Sequence, residues 1–169
     1  FNSIIEAETR MQDDKRSFDS APTIVAYSKS LELTLRHIVF GNFRSYILKS
    51  SEFDTLVEEA NADKNSSKFN GFINYLKNGR IELGVMHLSI LLSKGKTAKR
   101  VKILGLLKSY LDFSYPALLE ENTLSELQDL VSNFRNQATH ERSFDKKELK
   151  FVRSKTFEVL KMILSFRTV

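Results

Sequence analysis

The sequence predicts an all-α helical bundle, and three observations carry that expectation. Apolar residues recur at three- and four-residue intervals along most of the 169-residue chain, the spacing of helices with one buried face. Two prolines and six glycines leave long stretches free of helix breakers, while Leu, Lys, Glu and Ser abound. No stretch reads convincingly as a strand. With 41% hydrophobic residues and thirteen Phe, the chain can fill the core of one ordinary domain. The expected division is an N-terminal helix or linker over 1–20 and a helical domain over 21–169.

Composition narrows the function classes. A net charge of +5 and a pI near 9.4 favour an anionic partner such as nucleic acid. The absence of cysteine excludes disulfides, thiolate metal sites and a Cys nucleophile. No apolar run reaches the roughly 18 residues that cross a bilayer, and no basic-then-apolar leader opens the chain. A soluble, cytoplasmic protein without membrane contact is expected. The chain starts at Phe1 rather than Met, so a piece of a longer protein, whose remainder holds a sensor or regulator, is also expected.

In chain order, Asn2 to Ser17 form a charged, weakly amphipathic helix with Ile4, Ile5, Ala7 and Met11 on its apolar edge. Ser20-Ala21-Pro22 signals a helix start, with Ser20 as cap and proline in the first turn. Ile24, Tyr27, Leu31, Leu35, Ile38, Val39, Phe43 and Ile47 then mark a central helix of roughly seven turns, interrupted only at Gly41. Arg36-His37 within it flank the stripe and read as snorkelling or capping groups rather than as a catalytic pair. Glu52, Asp54, Glu58, Glu59 and Asp63 decorate a solvated helix face around Phe53, Leu56 and Val57, and Asn61 to Ser67 read as a loop.

Phe69, Phe72, Ile73 and Leu76 give a short helix stopped by Asn78-Gly79. His87, among Leu83, Val85, Met86 and Leu88, reads as a core or interface histidine, and no ligand at metal-binding spacing accompanies it. Gly95-Lys96-Thr97 lacks the earlier glycine and the strand of a phosphate loop. Lys94, Lys96, Lys99, Arg100 and Lys102 make a basic cluster opening a helix with Val101, Leu104, Leu107, Leu111 and Phe113. It reads either as a solvated face or as a track for an RNA backbone. Tyr110 and Tyr115 belong to the core edge or stack bases. After Pro116, Thr123 and Glu126 have the spacing of a capping box for the next helix. A final helix begins at Ser143-Phe144-Asp145 and carries Leu149, Val152, Phe157, Leu160, Ile163 and Leu164 with Lys146, Lys147, Lys150, Arg153 and Lys155.

Between these last two helices lies the run that concentrates polar chemistry, Asn133 to Arg142. Leu124, Leu127, Leu130, Val131 and Phe134 form the buried stripe leading into it, and only Ala138 offers an apolar anchor before Phe144. Arg135 to His140 therefore emerge where a packed helix ends. At about 100° per residue Arg135 shares a face with Thr139, and Asn136 with His140, while Arg135 and His140 point apart. Convergence of those two needs a break in the helix or a second chain.

Arg-Asn-x-x-x-His, here Arg135, Asn136 and His140 at a helix end, resembles the signature of HEPN domains. The resemblance covers this six-residue core, the long helix near the N-terminus and the helix after the motif. It implies an all-α bundle, homodimeric, with a metal-independent endoribonuclease site formed by two facing motifs. Cofactors are none, RNA is the substrate, and Arg135, Asn136 and His140 are the site residues. It also implies a setting in toxin–antitoxin pairs, phage defence or RNA processing, with an antitoxin or regulatory domain as partner. One branch of the family carries a tyrosine two positions after the histidine for nucleotide transfer; Arg142 stands there in this chain.

The residue chemistry fits that expectation. RNA carries its own 2′-hydroxyl nucleophile, so scission needs proton transfer and a cation at phosphorus. His140 can move protons near neutrality, Arg135 can pair with phosphoryl oxygens, and Asn136 can orient a phosphate or the histidine ring. Arg142, Lys146, Lys147 and Lys150, with Lys99, Arg100 and Lys102, are the expected RNA contacts. Three alternatives stand beside it: a HEPN-like module that binds RNA, a nucleotide or a protein without cutting, a purely structural helical interaction domain, and a helix C-terminus merely neutralised by Arg135 and His140.

Overall fold

The computed structural model describes residues 2–13, 20–62, 67–79, 102–139 and 143–165, and all regular structure among them is helical. The chain opens with α1 (Asn2–Asp13), followed by α2 (Ala21–Thr34), a π-helical segment (Leu35–Phe40) and α3 (Gly41–Ile47), which run on as the central helix. Next come α4 (Phe53–Ala62), α5 (Ser67–Asn78) and α6 (Lys102–Ser114). A 3-10 turn (Pro116–Leu119) leads to α7 (Glu121–Asp129), a second π-helical segment (Leu130–Arg135), α8 (Asn136–Thr139) and the final helix α9 (Lys146–Leu164). No described helix is long and apolar enough to cross a membrane.

The central helix divides the core into two halves. Around α2 pack α1, α9 and the motif helix, which is α7 continued through the second π-helical segment and α8, with Ile24, Tyr27, Leu31 and Leu35 buried. Around α3 the packing is aromatic: Phe43 stacks on Phe72 of α5 at 6.2 Å and meets Tyr110 of α6 at 5.4 Å. The junction is the π-helical segment, where the Gly41 N–H donates to the Arg36 carbonyl, five residues back. Tyr75 Oη donates to that same carbonyl at 3.2 Å. The interruption expected at Gly41 is thus a wide turn that ends just before it.

Several local expectations change in the structure. Ser20 occupies the cap position of α2, but its φ of −92° and ψ of 2° keep its hydroxyl from the first amides, and it makes no side-chain cap bond. It is buried, and its N–H donates to the Phe144 carbonyl at 3.3 Å. The capping box at Thr123 and Glu126 does not form. The proline turn starts the helix earlier, at Glu121, so Thr123 falls inside its first turn and is buried, while Glu126 takes Lys155 Nζ at 2.7 Å.

The capping box sits instead on α9. Asp145 Oδ1 accepts from the N–H of Lys147 at 2.7 Å and of Glu148 at 2.8 Å, and Glu148 Oε2 accepts from the Asp145 N–H at 3.0 Å. These bonds to backbone amides hold the Asp145 carboxyl below its ordinary range. Phe144 before the cap and Leu149 one turn inside are both buried, the positions of a hydrophobic staple.

Asn61 and Ala62 belong to α4 and Ser67 to α5, so only 63–66 of the expected loop fall outside the described residues. Phe113 is 54% exposed rather than buried, because it stands about 200° around the helix from Leu111. The expected stop after α5 is present: Gly79 has φ of +68°, the left-handed conformation that glycine adopts without strain. Arg44 closes the same helix end by donating to the Leu76 and Lys77 carbonyls at 2.8 and 3.0 Å. His87 and Lys94 to Arg100 lie outside the described residues.

Helix α1 is anchored by charge as well as by the buried Ala7. Glu8 accepts both Nε and Nη2 of Arg153, at 2.8 and 2.9 Å, and also the hydroxyl of the buried Tyr27. These contacts join α1, α2 and α9. The Arg153 hydrogen bonds, aided by Tyr27 and opposed by burial, hold the Glu8 carboxyl below its ordinary value, while burial and Glu8 push the Tyr27 phenol up.

A carboxyl whose folded pKa is depressed stabilises the fold above its unfolded value and loses that contribution as pH falls through the folded one. Glu8→Gln should therefore cost about 1 kcal/mol near neutrality, a figure reduced for the partial exposure of the pair. In urea unfolding across a pH series, the gap to wild type should close as pH falls below 4.5, the ordinary value, and through the lowered one. A gap independent of pH would contradict this role.

Candidate active site on the motif helix

The motif helix packs against the central helix through its π-helical segment and α8. Leu127, Leu130 and Val131 are buried, and Phe134 and Ala138 pack on the same core. In an unbroken α-helix Arg135 would follow Val131 at i+4, at the edge of the buried stripe. The wide turn changes this. The Asn136 N–H donates to the Val131 carbonyl, five residues back, and one extra residue in the turn brings Arg135 back by about 100°, over Leu130 rather than Val131. Arg135 thereby meets Glu32 of α2, and its side chain is 39% exposed.

Two acceptors orient the guanidinium. Arg135 Nη1 donates to Asn136 Oδ1 at 3.3 Å, and Nη2 lies 3.6 Å from Glu32 Oε1 of α2. The latter is an ion pair at longer than hydrogen-bond distance, so the cation is balanced without being sealed off. Asn136 also anchors the next turn, accepting the Thr139 hydroxyl on its carbonyl at 2.7 Å. The structure thus brings together Arg135 and Asn136, and the Asn136 amide orients the arginine. His140 and Arg142 lie outside the described residues.

Glu32 was missed by the sequence reading. The signal was present, since Glu32 is the only Asp or Glu between Ala21 and Ile47. A lone carboxylate on a helix buried on several sides calls for a partner, and Arg135 is the cation placed to meet it.

The expected basic contacts separate into groups. Lys146, Lys147 and Lys150 are exposed on the first turns of α9, a helix that packs on α2 and on the π-helical segment of the motif helix. Among the described residues no carboxylate pairs with these three. Lys102 belongs elsewhere: its Nζ bonds Glu59 Oε1 of α4 at 3.0 Å, and its helix packs with the α3 half of the core. Lys99 and Arg100 lie outside the described residues. Tyr115 is 2% exposed and accepts Asn42 Nδ2 at 3.2 Å, which removes it as a base-stacking surface. Tyr110 packs among Phe43, Tyr46 and Tyr115, and burial pushes its phenol up to about 12.

Arg36 and His37 bond each other, Nη2 to Nε2, at 3.1 Å. His37 lines a groove of about 560 Å³ with Ser30, Thr34, Leu160 and Leu164, whereas Arg135 meets Glu32. Among the described residues no group of three His, Asp or Glu side chains is placed to hold a metal ion. No protein-family model matches the chain, and neither a curated protein nor a solved structure does.

The site's electrostatics give a direct expectation. Glu32→Gln removes the carboxylate that competes with any anion for Arg135, so RNA binding at low salt should tighten severalfold. Stability should change by about 1 kcal/mol, because the pair is only partly exposed and longer than hydrogen-bond distance. Fluorescence anisotropy with labelled RNA measures the first and thermal melting the second. Unchanged or weaker RNA affinity would remove Arg135 from the anion site.

Proposed function

We propose that this chain is a HEPN-type, metal-independent endoribonuclease acting as a homodimer. One observation carries the reading: at the end of the motif helix Asn136 and Glu32 orient the guanidinium of Arg135, whose side chain stays 39% exposed. An oriented but accessible guanidinium is the group that phosphoryl oxygens require. The lysines of α9, next in sequence after the motif, support an RNA backbone as the substrate.

In the proposed reaction the 2′-oxygen attacks phosphorus and the bond from phosphorus to the 5′-oxygen breaks. One proton leaves the 2′-hydroxyl and another reaches the departing 5′-oxygen. His140 of one protomer takes the first and His140 of its partner delivers the second, since a single imidazole cannot readily serve opposite sides of phosphorus. Arg135 stabilises the charge that builds on the phosphoryl oxygens. The products carry 2′,3′-cyclic phosphate and 5′-hydroxyl ends. A role in toxin–antitoxin pairs, phage defence or RNA processing, under an antitoxin or a regulatory domain, goes with this proposal.

The test is incubation with mixed-sequence RNA in EDTA at low salt, beside His140→Ala and Arg135→Ala. Wild type should leave cyclic phosphate ends, and each variant should lose at least about a hundredfold in rate, the usual scale for one acid–base or charge-stabilising group. RNA binding without cleavage, by a wild-type dimer, would place the chain among binding modules. Cleavage undiminished in His140→Ala would end the assignment of that residue.

A further inference from the structure

Three phenylalanine rings step outward from the core between the motif helix and α9. Phe144 is 1% exposed, its ring lies 6.0 Å from that of Phe134, and Phe134 lies 5.5 Å from Phe151, which is 47% exposed. Phe151 meets the Phe134 ring at a tilt of 34°, and nearly half of the residue remains open to solvent.

The surface around this ring is basic. Lys147 stands one helical turn before Phe151 on α9, at the i−4 position that places the two side chains on the same face. Lys150 and Lys146 are exposed in the same two turns. Among the described residues the acids nearest in sequence also serve other groups: Asp145 and Glu148 form the capping box, and Glu158 bonds Ser154 and Lys155. An aromatic face flanked by exposed cations matches single-stranded nucleic acid, where a base stacks on the ring and the adjoining phosphate meets the cation.

We propose that Phe151 and Lys147 form a subsite for one unpaired nucleotide of RNA, the base stacking on Phe151 and its phosphate pairing with Lys147. The subsite rests on the RNA-directed reading above for its ligand class, but not on cleavage. It places a single-stranded segment across the first turns of α9 beside the motif. It also makes the chain prefer unpaired over duplex RNA, because a base in a duplex has no free face for Phe151.

The experiment separates binding from cutting by using an uncleavable 2′-O-methyl RNA oligomer with the full chain. Phe151→Ala should weaken binding about tenfold, within the range of one base–aromatic stack. Phe151→Tyr, which keeps the ring, should stay close to wild type. Lys147→Ala should lower the slope of log affinity against log salt by about one phosphate contact. Phe151→Ala binding within about twofold of wild type, at unchanged melting temperature, overturns the subsite even if wild type cleaves RNA. A wild type that binds in this Phe151-dependent way but never cleaves upholds the subsite and removes the nuclease. Conversion of a dimer to monomers by Phe151→Ala in sedimentation, with affinity per protomer unchanged, would assign the ring to a second copy and overturn the subsite.

Discussion

The ion pair between Arg135 of the motif helix and Glu32 of α2 is the interaction on which the site depends, and one wide turn makes it. Leu127, Leu130 and Val131 stay buried, while Arg135, brought over Leu130 by the extra residue, meets Glu32 and Asn136 with its side chain 39% exposed. The enlarged turn sacrifices regular hydrogen bonding and close packing in that turn. It is retained where rephasing a side chain gains a contact, as the Arg135–Glu32 pair does here.

The central helix carries the second such turn, and the two serve one arrangement. Below Leu35, α2 offers its sides to α1, α9 and the motif helix; beyond Phe40, α3 packs into the aromatic cluster of Phe43, Phe72 and Tyr110. The wide turn lets one continuous helix serve two cores of different phase, and Tyr75 adds a second hydrogen bond to the Arg36 carbonyl that Gly41 already meets. The α2 half is then closed by Glu8, Tyr27 and Arg153. Candidate chemistry and its scaffold belong to the same half: Glu32 lies on α2, Arg135 on the helix packed against it, and Lys147 with Phe151 on α9.

Much of this was legible in the sequence where the signal is local. The helical class derives from apolar spacing, the end of α5 from Asn78-Gly79, and the start of α9 from Phe144-Asp145, because caps and left-handed glycines depend on a few adjacent residues. The features that escaped depend on partners far along the chain. Thr123 and Glu126 have capping-box spacing, yet the proline turn starts the helix before them and Lys155 claims the glutamate. The wide turns leave no mark in three- and four-residue periodicity, since tertiary packing selects them. Lys102 looked like part of an RNA track until Glu59 was placed beside it. Phe151 lies off the apolar stripe of α9, and only the ring of Phe134 beside it marks it as part of an aromatic group rather than an isolated exposed side chain.

The central claim is that Arg135 and its neighbours act on RNA whose own 2′-hydroxyl performs the attack. The most direct test maps one cleavage position and then replaces the 2′-hydroxyl of that single nucleotide by hydrogen. The account predicts that cleavage at that position disappears while binding of the oligomer is unchanged. Continued cleavage there, with the 2′-hydroxyl gone, would mean that water or a protein group is the nucleophile and would contradict the proposed reaction at its first step.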